Sequence, residues 1–235
     1  MRIGVAQIEI CNEIGTNTEK VLSYLKSAAS LKLDFLCFPE CSLTGYKRDF
    51  HNIDWEEVAQ AINKLQEAVT TEGITIAVGT PYAEAGKVYN AAIAISEKQR
   101  LKYFKNNLTE FDKLYFAEGK DTLSLKVKGV KCGLIICRDQ NDPRLAQEYA
   151  RVGTNVVFLL AAHYYPPAEA RRKLDKNRAL PIARAVENGL FVAKANAVGC
   201  QGEYVSLGHS MIVDPEGSVV CEADENEERL LYYDL

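Results

Sequence analysis

Cys137 lies where an apolar run changes abruptly into a charged stretch. The run 133-GLIIC-137 contains two consecutive β-branched isoleucines, which are typical of a buried strand. The residues that follow, RDQNDP, do not suit a strand, because Asp, Asn and Pro favour turns. Open α/β sheets bind their ligands at the carboxyl ends of strands. Cys137 is therefore a candidate nucleophile, provided that the fold supplies a base and a positive partner.

A candidate base follows a second apolar strand, in 36-LCFPECSLTGY-46. Glu40 stands at the carboxyl end of this strand, and a glutamate taken at random is a solvated surface group. Its neighbours Cys37, Phe38 and Cys41 are apolar, however, which predicts a carboxylate that is at least partly buried. A buried carboxylate needs a partner or has a raised pKa, and both conditions suit a general base.

The third candidate is Lys105, in the aromatic segment 102-KYFKNNLTEFDKLYFAEG-119. The ordinary interpretation of such a lysine is a surface group whose stem covers apolar neighbours. A lysine held beside a carboxylate and a thiol would instead stabilise a developing oxyanion. Glu40, Lys105 and Cys137 are far apart along the chain, so only the fold can bring them together.

Strands and helices alternate along the chain. Apolar segments predict strands over 2–10, 35–38, 74–80, 90–97, 131–137, 155–162, 190–198, 209–215 and 218–223. Helical patterns predict helices over 17–32, 55–73, 143–153 and 168–189, with Pro181 kinking or dividing the last one. No linker rich in Gly, Pro or Ser interrupts this order. Residues 1–235 are therefore predicted to form a single α/β domain with two similar halves.

Composition and motifs disfavour several classes of protein. The formal net charge of −4 argues against a nucleic-acid-binding surface. No apolar stretch is long enough to cross a membrane, and the N-terminus lacks the features of a signal peptide. The seven cysteines are an odd number, which suits reduced thiols in a cytoplasmic protein. There is no C-x-x-C pair, no second ligand near any histidine and no Gly-rich phosphate loop, so neither a metal nor an organic cofactor is predicted.

Five short motifs occur in the order found in one enzyme superfamily. They are FPE at 38–40 with a nearby TGY, YFKNNL at 103–108, LIICRD at 134–139, 183-ARAVENGLFVAKANAVG-199 and 208-GHSMIVDPEG-217. Together they resemble the nitrilase, or carbon–nitrogen hydrolase, superfamily, from the first strand to the final YYDL. The resemblance implies a four-layer α-β-β-α sandwich with mixed sheets, and a catalytic triad of Glu40, Lys105 and Cys137.

The chemistry implied by this resemblance is cysteine catalysis. Glu40 would take the thiol proton of Cys137, and the thiolate would attack an amide or nitrile carbon. The oxyanion would face Lys105 and the backbone N–H of Arg138. Further substrate contacts are expected from Tyr46, His163 and Tyr164. His163 and Tyr164 directly follow the predicted strand over 155–162.

The chain departs from the superfamily pattern at two places. Many relatives carry an additional glutamate before the aromatic pair that matches Tyr115 and Phe116; the matching residue here is Asp112, with Glu110 as the alternative. Asp112 is one methylene shorter than glutamate, so the sequence does not decide whether its carboxylate reaches Lys105 or the substrate.

After the nucleophile, an aromatic residue, Pro and Glu are common in relatives, whereas this chain has Asp142, Pro143 and Arg144. Arg138 and Arg144 favour an acidic substrate and Asp142 a cationic one. The charge of the substrate therefore remains undecided at this stage.

The leading hypothesis is an amidase that acts on a small linear amide or carbamoyl compound with water as the second substrate. A nitrilase or an acyl transferase would use the same triad. A catalytically silent nitrilase-like protein with a binding or regulatory role is the alternative from another class. A cytoplasmic homodimer or higher homo-oligomer without nucleic-acid or membrane partners is expected.

Overall fold

The computed structural model describes residues 1–46 and 48–235. In this part of the chain four α-helices are present: α1 (Ile14–Ser30), α2 (Trp55–Glu72), α3 (Pro143–Arg151) and α4 (Pro167–Asn188). The strands are β1 (Arg2–Glu9), β2 (Phe35–Cys37), β3 (Thr75–Glu84), β4 (Lys87–Ile95), β5 (Arg100–Phe104), β6 (Ser124–Val127), β7 (Val130–Ile136), β8 (Val156–Ala161), β9 (Phe191–Gln201), β10 (Tyr204–Leu207), β11 (Met211–Val213), β12 (Val219–Glu222) and β13 (Arg229–Asp234).

Helix α2 illustrates how local sequence sets the elements. Asp54 caps its first turn, where the carboxylate accepts hydrogen bonds from the backbone of the second and third helical residues. Gly73 ends the helix in a left-handed conformation with φ of 68°. Between these ends the buried residues Val58, Leu65 and Val69 recur at helical spacing and form the face that packs on the sheet.

The strands form two halves that are joined along one edge. Their order is β5-β4-β3-β2-β1-β9-β8-β7-β6, and β13 runs antiparallel beside β1. The carboxyl end of β1 pairs in parallel with β9, through Ile8 opposite Ala197. Strands β1, β2 and β3 are parallel, as are β7, β8 and β9, whereas β4, β5 and β6 pair antiparallel. The sheets are therefore mixed, as predicted.

The two halves face each other and carry helices on their outer faces. Phe35 of β2 stacks on Phe158 of β8 with 4.0 Å between the ring centroids, in a core shared by both halves. Helices α1 and α2 pack on the outer face of the first half. Tyr149 of α3 and Ala185 of α4 pack with Leu159 on the outer face of the second half. The layer order is α-β-β-α, as the resemblance implied.

The elements differ from the sequence prediction in two respects. Strands β5, β6, β10 and β13 were not predicted, because each is short and only partly buried and so lacks a long apolar run. Helix α4 is not divided at Pro181: the helix continues through this buried residue to Asn188. Within the described residues, no helix is long and apolar enough to cross a membrane.

Candidate active site

The predicted triad residues follow three different strands. Glu40 comes shortly after β2, Lys105 directly follows β5, and Cys137 directly follows β7. The structure brings Glu40 and Lys105 into an ion pair, with 2.6 Å between Oε1 and Nζ. Both side chains are fully buried. Cys137 lies near enough to both charges for them to affect the pKa of its thiol.

The two oxygens of the Glu40 carboxylate differ in their contacts. Oε1 accepts hydrogen bonds from Lys105 and, at 2.8 Å, from the side-chain amide of Asn90, whereas the buried Oε2 has no hydrogen-bond partner among the described residues. Burial raises the pKa of Glu40, against the opposing effect of the Lys105 ammonium. The carboxylate is therefore poised to accept a proton, and Oε2 is the oxygen that is free to take it.

A close approach of two backbones positions Glu40. The turn that contains it packs on β3 at Gly79, where an added Cβ would lie 2.3 Å from the backbone nitrogen of Cys41. Ser42 completes the contact, since its hydroxyl accepts a hydrogen bond from the Gly79 N–H at 3.1 Å. A side chain at position 79 would therefore displace the turn that holds the carboxylate.

Lys105 lies between two carboxylates. Its Nζ donates to Glu40 and, at 2.8 Å, to Asp112 Oδ2. Burial alone would lower the pKa of Lys105, but these carboxylates outweigh it and hold the pKa above its usual value. Lys105 also holds the pKa of Asp112 low, although burial opposes this. Within residues 1–46 and 48–235 these two bonds use two of the three ammonium N–H groups, which leaves one for a ligand.

Cys137 has an unusual backbone conformation. It begins a short 3-10 helix, Cys137–Asn141, with φ of 44°, a region that residues other than glycine seldom adopt. Such strain costs about 1–3 kcal/mol and is concentrated at functional sites. Burial raises the pKa of the thiol, Glu40 raises it further, and Lys105 opposes them. At neutral pH the sulfur is therefore a thiol that needs a base to ionise.

Asp139 connects the segment after β5 to the turn after β7. Its Oδ1 accepts the backbone N–H of Asn106 at 3.1 Å and of Asn107 at 2.7 Å. Its Oδ2 accepts the Tyr103 hydroxyl at 2.7 Å and the backbone N–H of Ile136 at 2.9 Å. The buried carboxylate thereby holds the chain on either side of Lys105 and Cys137 in a defined relation.

A cavity of about 230 Å³ opens beside Cys137. Three of its lining residues, Arg138, Lys173 and Lys176, are cationic, and none of the described lining residues is acidic. Its remaining lining is mainly aromatic and amide side chains. The full lining consists of Tyr46, Thr109, Phe111, Cys137, Arg138, Gln140, Asn141, Ala162, His163, Tyr164, Tyr165, Lys173, Lys176 and Asn177.

His163 is a neutral member of this lining. Its Nε2 lies 3.2 Å from the side-chain nitrogen of Gln140, and its buried Nδ1 has no hydrogen-bond partner in the part of the chain that the structure describes. Burial lowers the pKa of His163 well below its usual value, and nearby lysines, first among them Lys194, lower it further. The imidazole is therefore uncharged at neutral pH and offers hydrogen bonds rather than charge.

The structure distributes the predicted substrate-binding residues unevenly. Tyr46, Arg138, His163 and Tyr164 line the cavity. Asp112 lies deeper, where it accepts a hydrogen bond from the Tyr46 hydroxyl at 3.0 Å as well as from Lys105.

The two acidic alternatives near Lys105 are now distinguished. Glu110 is exposed and pairs with Lys113 at 2.8 Å, so Asp112 is the residue that reaches Lys105. The shorter aspartate reaches because the backbone N–H of Thr109 also binds its Oδ2, at 2.8 Å.

Asp142 lies outside the cavity lining, so its predicted substrate contact stays a prediction. Its carboxylate caps α3 by accepting the backbone N–H of Arg144 at 3.0 Å, and it also pairs with the guanidinium of Arg144 at 2.8 Å. Both oxygens are thus occupied at the start of the helix. Arg144 is largely exposed and directed into this same pair, so neither residue contacts the cavity.

Sequence reasoning missed several residues of the site. Asn90 interrupts an apolar strand as its one buried polar residue, and Asp139 stands inside the motif LIICRD, so both carried a signal. Lys173 and Lys176 carried no such signal in the sequence, because they belong to a helix that is rich in charged residues.

No group of three or more potential metal ligands among His, Cys, Asp and Glu occurs in the part of the chain that the structure describes.

The model of the family described as carbon-nitrogen hydrolase matches residues 2–235. The chain belongs to the carbon–nitrogen hydrolase family. This confirms the resemblance seen in the motifs, and with it an enzyme that hydrolyses carbon–nitrogen bonds.

Named relatives and solved structures that are similar to this chain include amidases. A 2-oxoglutaramate amidase of Bacillus subtilis (strain 168) is 31% identical, over 96% of this chain and 87% of that protein. An omega-amidase of Mus musculus is 30% identical, over 100% of this chain and 88% of that protein. A variant of the amidase of Nesterenkonia sp. AN1, with acrylamide added at its active-site cysteine, superposes with a TM-score of 0.89. It is 25% identical, with coverage of 100% of this chain and 93% of that one. The fold prediction is confirmed.

Proposed function

We propose that this enzyme is an amidase that cleaves small linear amides through a thioester on Cys137. The observation that carries the proposal is the buried Glu40–Lys105 ion pair in electrostatic reach of a thiol on a strained turn at the cavity wall. A solved amidase with 25% identity has a reactive active-site cysteine, which supports the same assignment.

The first half of the reaction forms the thioester. Glu40 Oε2 takes the proton of the Cys137 thiol, and the thiolate adds to the amide carbon. The remaining N–H of Lys105 and the backbone N–H of Arg138 stabilise the oxyanion. As the carbon–nitrogen bond breaks, protonated Glu40 gives its proton to the leaving nitrogen, and ammonia departs.

The second half releases the acid. Glu40 takes a proton from water, hydroxide adds to the thioester carbon, and the carbon–sulfur bond breaks. The sulfur leaves as a thiolate and recovers a proton from Glu40, so that Cys137 is again a thiol. The raised pKa of Glu40 suits this alternation, because the carboxyl must be both base and acid near neutral pH.

We also propose that the acyl group of the substrate ends in a carboxylate. Arg138, Lys173 and Lys176 give the cavity wall its positive charges, and Lys173 also pairs with Glu169 at 2.6 Å. The two acidic residues predicted to contact the substrate, Asp112 and Asp142, do not belong to the cavity lining. Anionic ligands gain from such a wall through charge-assisted hydrogen bonds. A relative named 2-oxoglutaramate amidase supports this class of substrate. Monoamides of short dicarboxylic acids fit best.

The test is ammonia release from succinamate, from neutral amides, from carbamoyl amines and from nitriles. We expect turnover of succinamate, and a fall of more than about 10³-fold in Cys137→Ala. Cys132→Ala is the matched control, because Cys132 is a buried free cysteine on β7, the strand that Cys137 follows. Activity that survives in Cys137→Ala contradicts the mechanism. A folded wild type that releases no ammonia from any compound indicates the silent alternative.

Four further predictions accompany this proposal. We propose that residues 1–235 act as one domain, which the match of the family model to residues 2–235 supports. We propose a cytoplasmic location, which the free state of the seven cysteines supports. A homodimer or higher homo-oligomer stays a prediction, and so does the absence of a cofactor.

A further inference from the structure

Lys194 is a buried cation that the mechanism above does not use. It lies on β9 with no exposed surface, and its Nζ donates one hydrogen bond, to the backbone oxygen of Asn177 at 3.2 Å. Among the described residues no carboxylate oxygen lies within 4.0 Å of it. A buried ammonium without a close counter-ion is costly, so its retention calls for a function.

Lys194 lies directly behind the wall of the active-site cavity. It lines a small hollow, and three residues of that hollow, His163, Tyr165 and Asn177, also line the cavity. Asn177 therefore has two contacts: its backbone oxygen accepts the hydrogen bond from Lys194, and the residue also lines the cavity. The hollow that holds Lys194 and the space beside Cys137 therefore have these three residues as a common wall.

The charges around Lys194 leave it largely uncompensated. Glu222 on β12 is the acidic group that faces it, but Glu222 is bound by Arg178 of α4 at 2.6 Å and by His209 at 2.8 Å. Arg178 adds a second positive charge nearby. Burial lowers the pKa of Lys194 to about 7, and Glu222 only partly opposes this.

We propose that Lys194 is a specificity-determining residue that favours acyl groups ending in a carboxylate, held against the wall of His163, Tyr165 and Asn177. The inference rests on the proposed amidase function and deepens it. An ammonium in a dry interior acts on a neighbouring charge much more strongly than one in water. Arg138, Lys173 and Lys176 attract the anion at the cavity wall, whereas Lys194 selects it from behind that wall.

The proposal has a consequence for pH. A lysine whose folded pKa is about 7 is charged at pH 6 and mostly neutral at pH 8.5. The substrate carboxylate stays ionised over this whole range. The preference for an anionic substrate should therefore weaken as the pH rises through 7, because the cation and not the anion loses its charge.

The experiment compares succinamate with succinamide, which has nearly the same shape but no charge, in the wild type, Lys194→Met and Lys131→Met. Lys131 is the matched control: its ammonium also donates to a backbone carbonyl, that of Val152, but it is exposed. At pH 6 we expect the ratio of kcat/KM values, succinamate over succinamide, to fall by about tenfold or more in Lys194→Met and to stay unchanged in Lys131→Met.

The pH dependence gives a second readout on the unmodified enzyme. Between pH 6 and 8.5 the KM of the wild type for succinamate should rise by about tenfold, while its KM for succinamide stays nearly constant. Lys194→Met should show no such rise. An unchanged substrate ratio in folded Lys194→Met overturns the proposal. An equal fall of kcat for both amides also overturns it, because Lys194 would then act on the reaction centre.

A binding measurement separates this inference from the proposed function. Calorimetric titration with succinate at pH 6 needs no turnover, and its Kd should weaken by about tenfold in Lys194→Met relative to the wild type and Lys131→Met. If the wild type hydrolyses neither amide but succinate binding weakens in this way, only the amidase proposal fails. Equal succinate binding in all three proteins overturns the role of Lys194.

Discussion

The contact between Asp112 and Lys105 shows how one residue adapts the site. Asp112 is shorter than the glutamate of many relatives, yet its Oδ2 reaches the ammonium at 2.8 Å. Two other hydrogen bonds orient the Asp112 carboxylate: Oδ2 accepts one from the backbone N–H of Thr109, and Oδ1 accepts one from the hydroxyl of Tyr46. The second carboxylate thus orients Lys105 and ties it to a residue of the cavity wall.

Replacement of Asp112 should misplace the cation rather than remove it. In Asp112→Asn the charge partner is lost, and Lys105 is drawn towards Glu40 alone. Because small displacements of catalytic groups are costly, we expect kcat/KM for succinamate to fall about 10- to 100-fold. Glu110→Gln is the control, since Glu110 is exposed and should give wild-type rates. Equal activity in Asp112→Asn and the wild type would show that Lys105 needs no second carboxylate.

At the scale of elements, two aspartates close together in sequence have different roles. Asp139 is buried and accepts hydrogen bonds from segments that precede it in the chain. The donors are the Tyr103 hydroxyl, the backbone N–H groups of Asn106, Asn107 and Ile136, and the side-chain amide of Asn107. Asp142 is at the surface and caps α3. The first positions the site, and the second stabilises one helix.

This difference predicts different effects of substitution. Asp139→Asn places an amide donor against N–H and O–H donors, and we expect a loss of about 3 kcal/mol in the free energy of unfolding together with most of the activity. Asp142→Ala removes an N-cap and should cost about 1 kcal/mol while the activity stays near that of the wild type. For each variant, urea unfolding measures the stability and ammonia release measures the activity. A large loss of activity in Asp142→Ala would restore a substrate contact for that residue.

At the scale of the whole molecule, the site depends on two sheets that meet face to face. The stacked rings of Phe35 and Phe158 lie in the core that the halves share, and β1 pairs with β9 at their common edge. Glu40 and Lys105 belong to the first half, whereas Cys137 belongs to the second. The proposed catalysis by these three residues therefore requires the halves to be docked.

A cavity in this shared core should weaken that docking. We expect Phe158→Ala to lower the free energy of unfolding by about 3–5 kcal/mol, because it removes a fully buried ring. Leu114→Ala is the control: Leu114 is 64% exposed and should change stability by less than about 0.5 kcal/mol. Denaturant unfolding gives both values. A small loss in Phe158→Ala would indicate that the halves are held together mainly at the β1–β9 edge.

Much of the fold could be predicted because its signals are local. The apolar runs of β1, β3, β7, β8 and β9 and the periodic helices α1 and α2 carry their structure in short windows of sequence. The edge strands β5 and β13 could not be predicted, since their partly exposed residues follow no long apolar pattern. The division of α4 at Pro181 was wrongly offered as one alternative for a similar reason: the intrinsic effect of proline on a helix is local, whereas the packing that buries Pro181 inside α4 is not.

The sequence by itself determined the chemical groups of the site: a cysteine at a strand end, a glutamate among apolar neighbours and a lysine among aromatic residues. Only the tertiary structure decided which charges meet. It paired Lys105 with Asp112 rather than Glu110, and it made Asp142 the cap of α3. It also placed Lys173 and Lys176 in the cavity lining and Lys194 in the hollow that shares three residues with that lining. The physical reason is that electrostatic interactions depend on distance and burial in space, and neither is encoded in the spacing of residues along the chain.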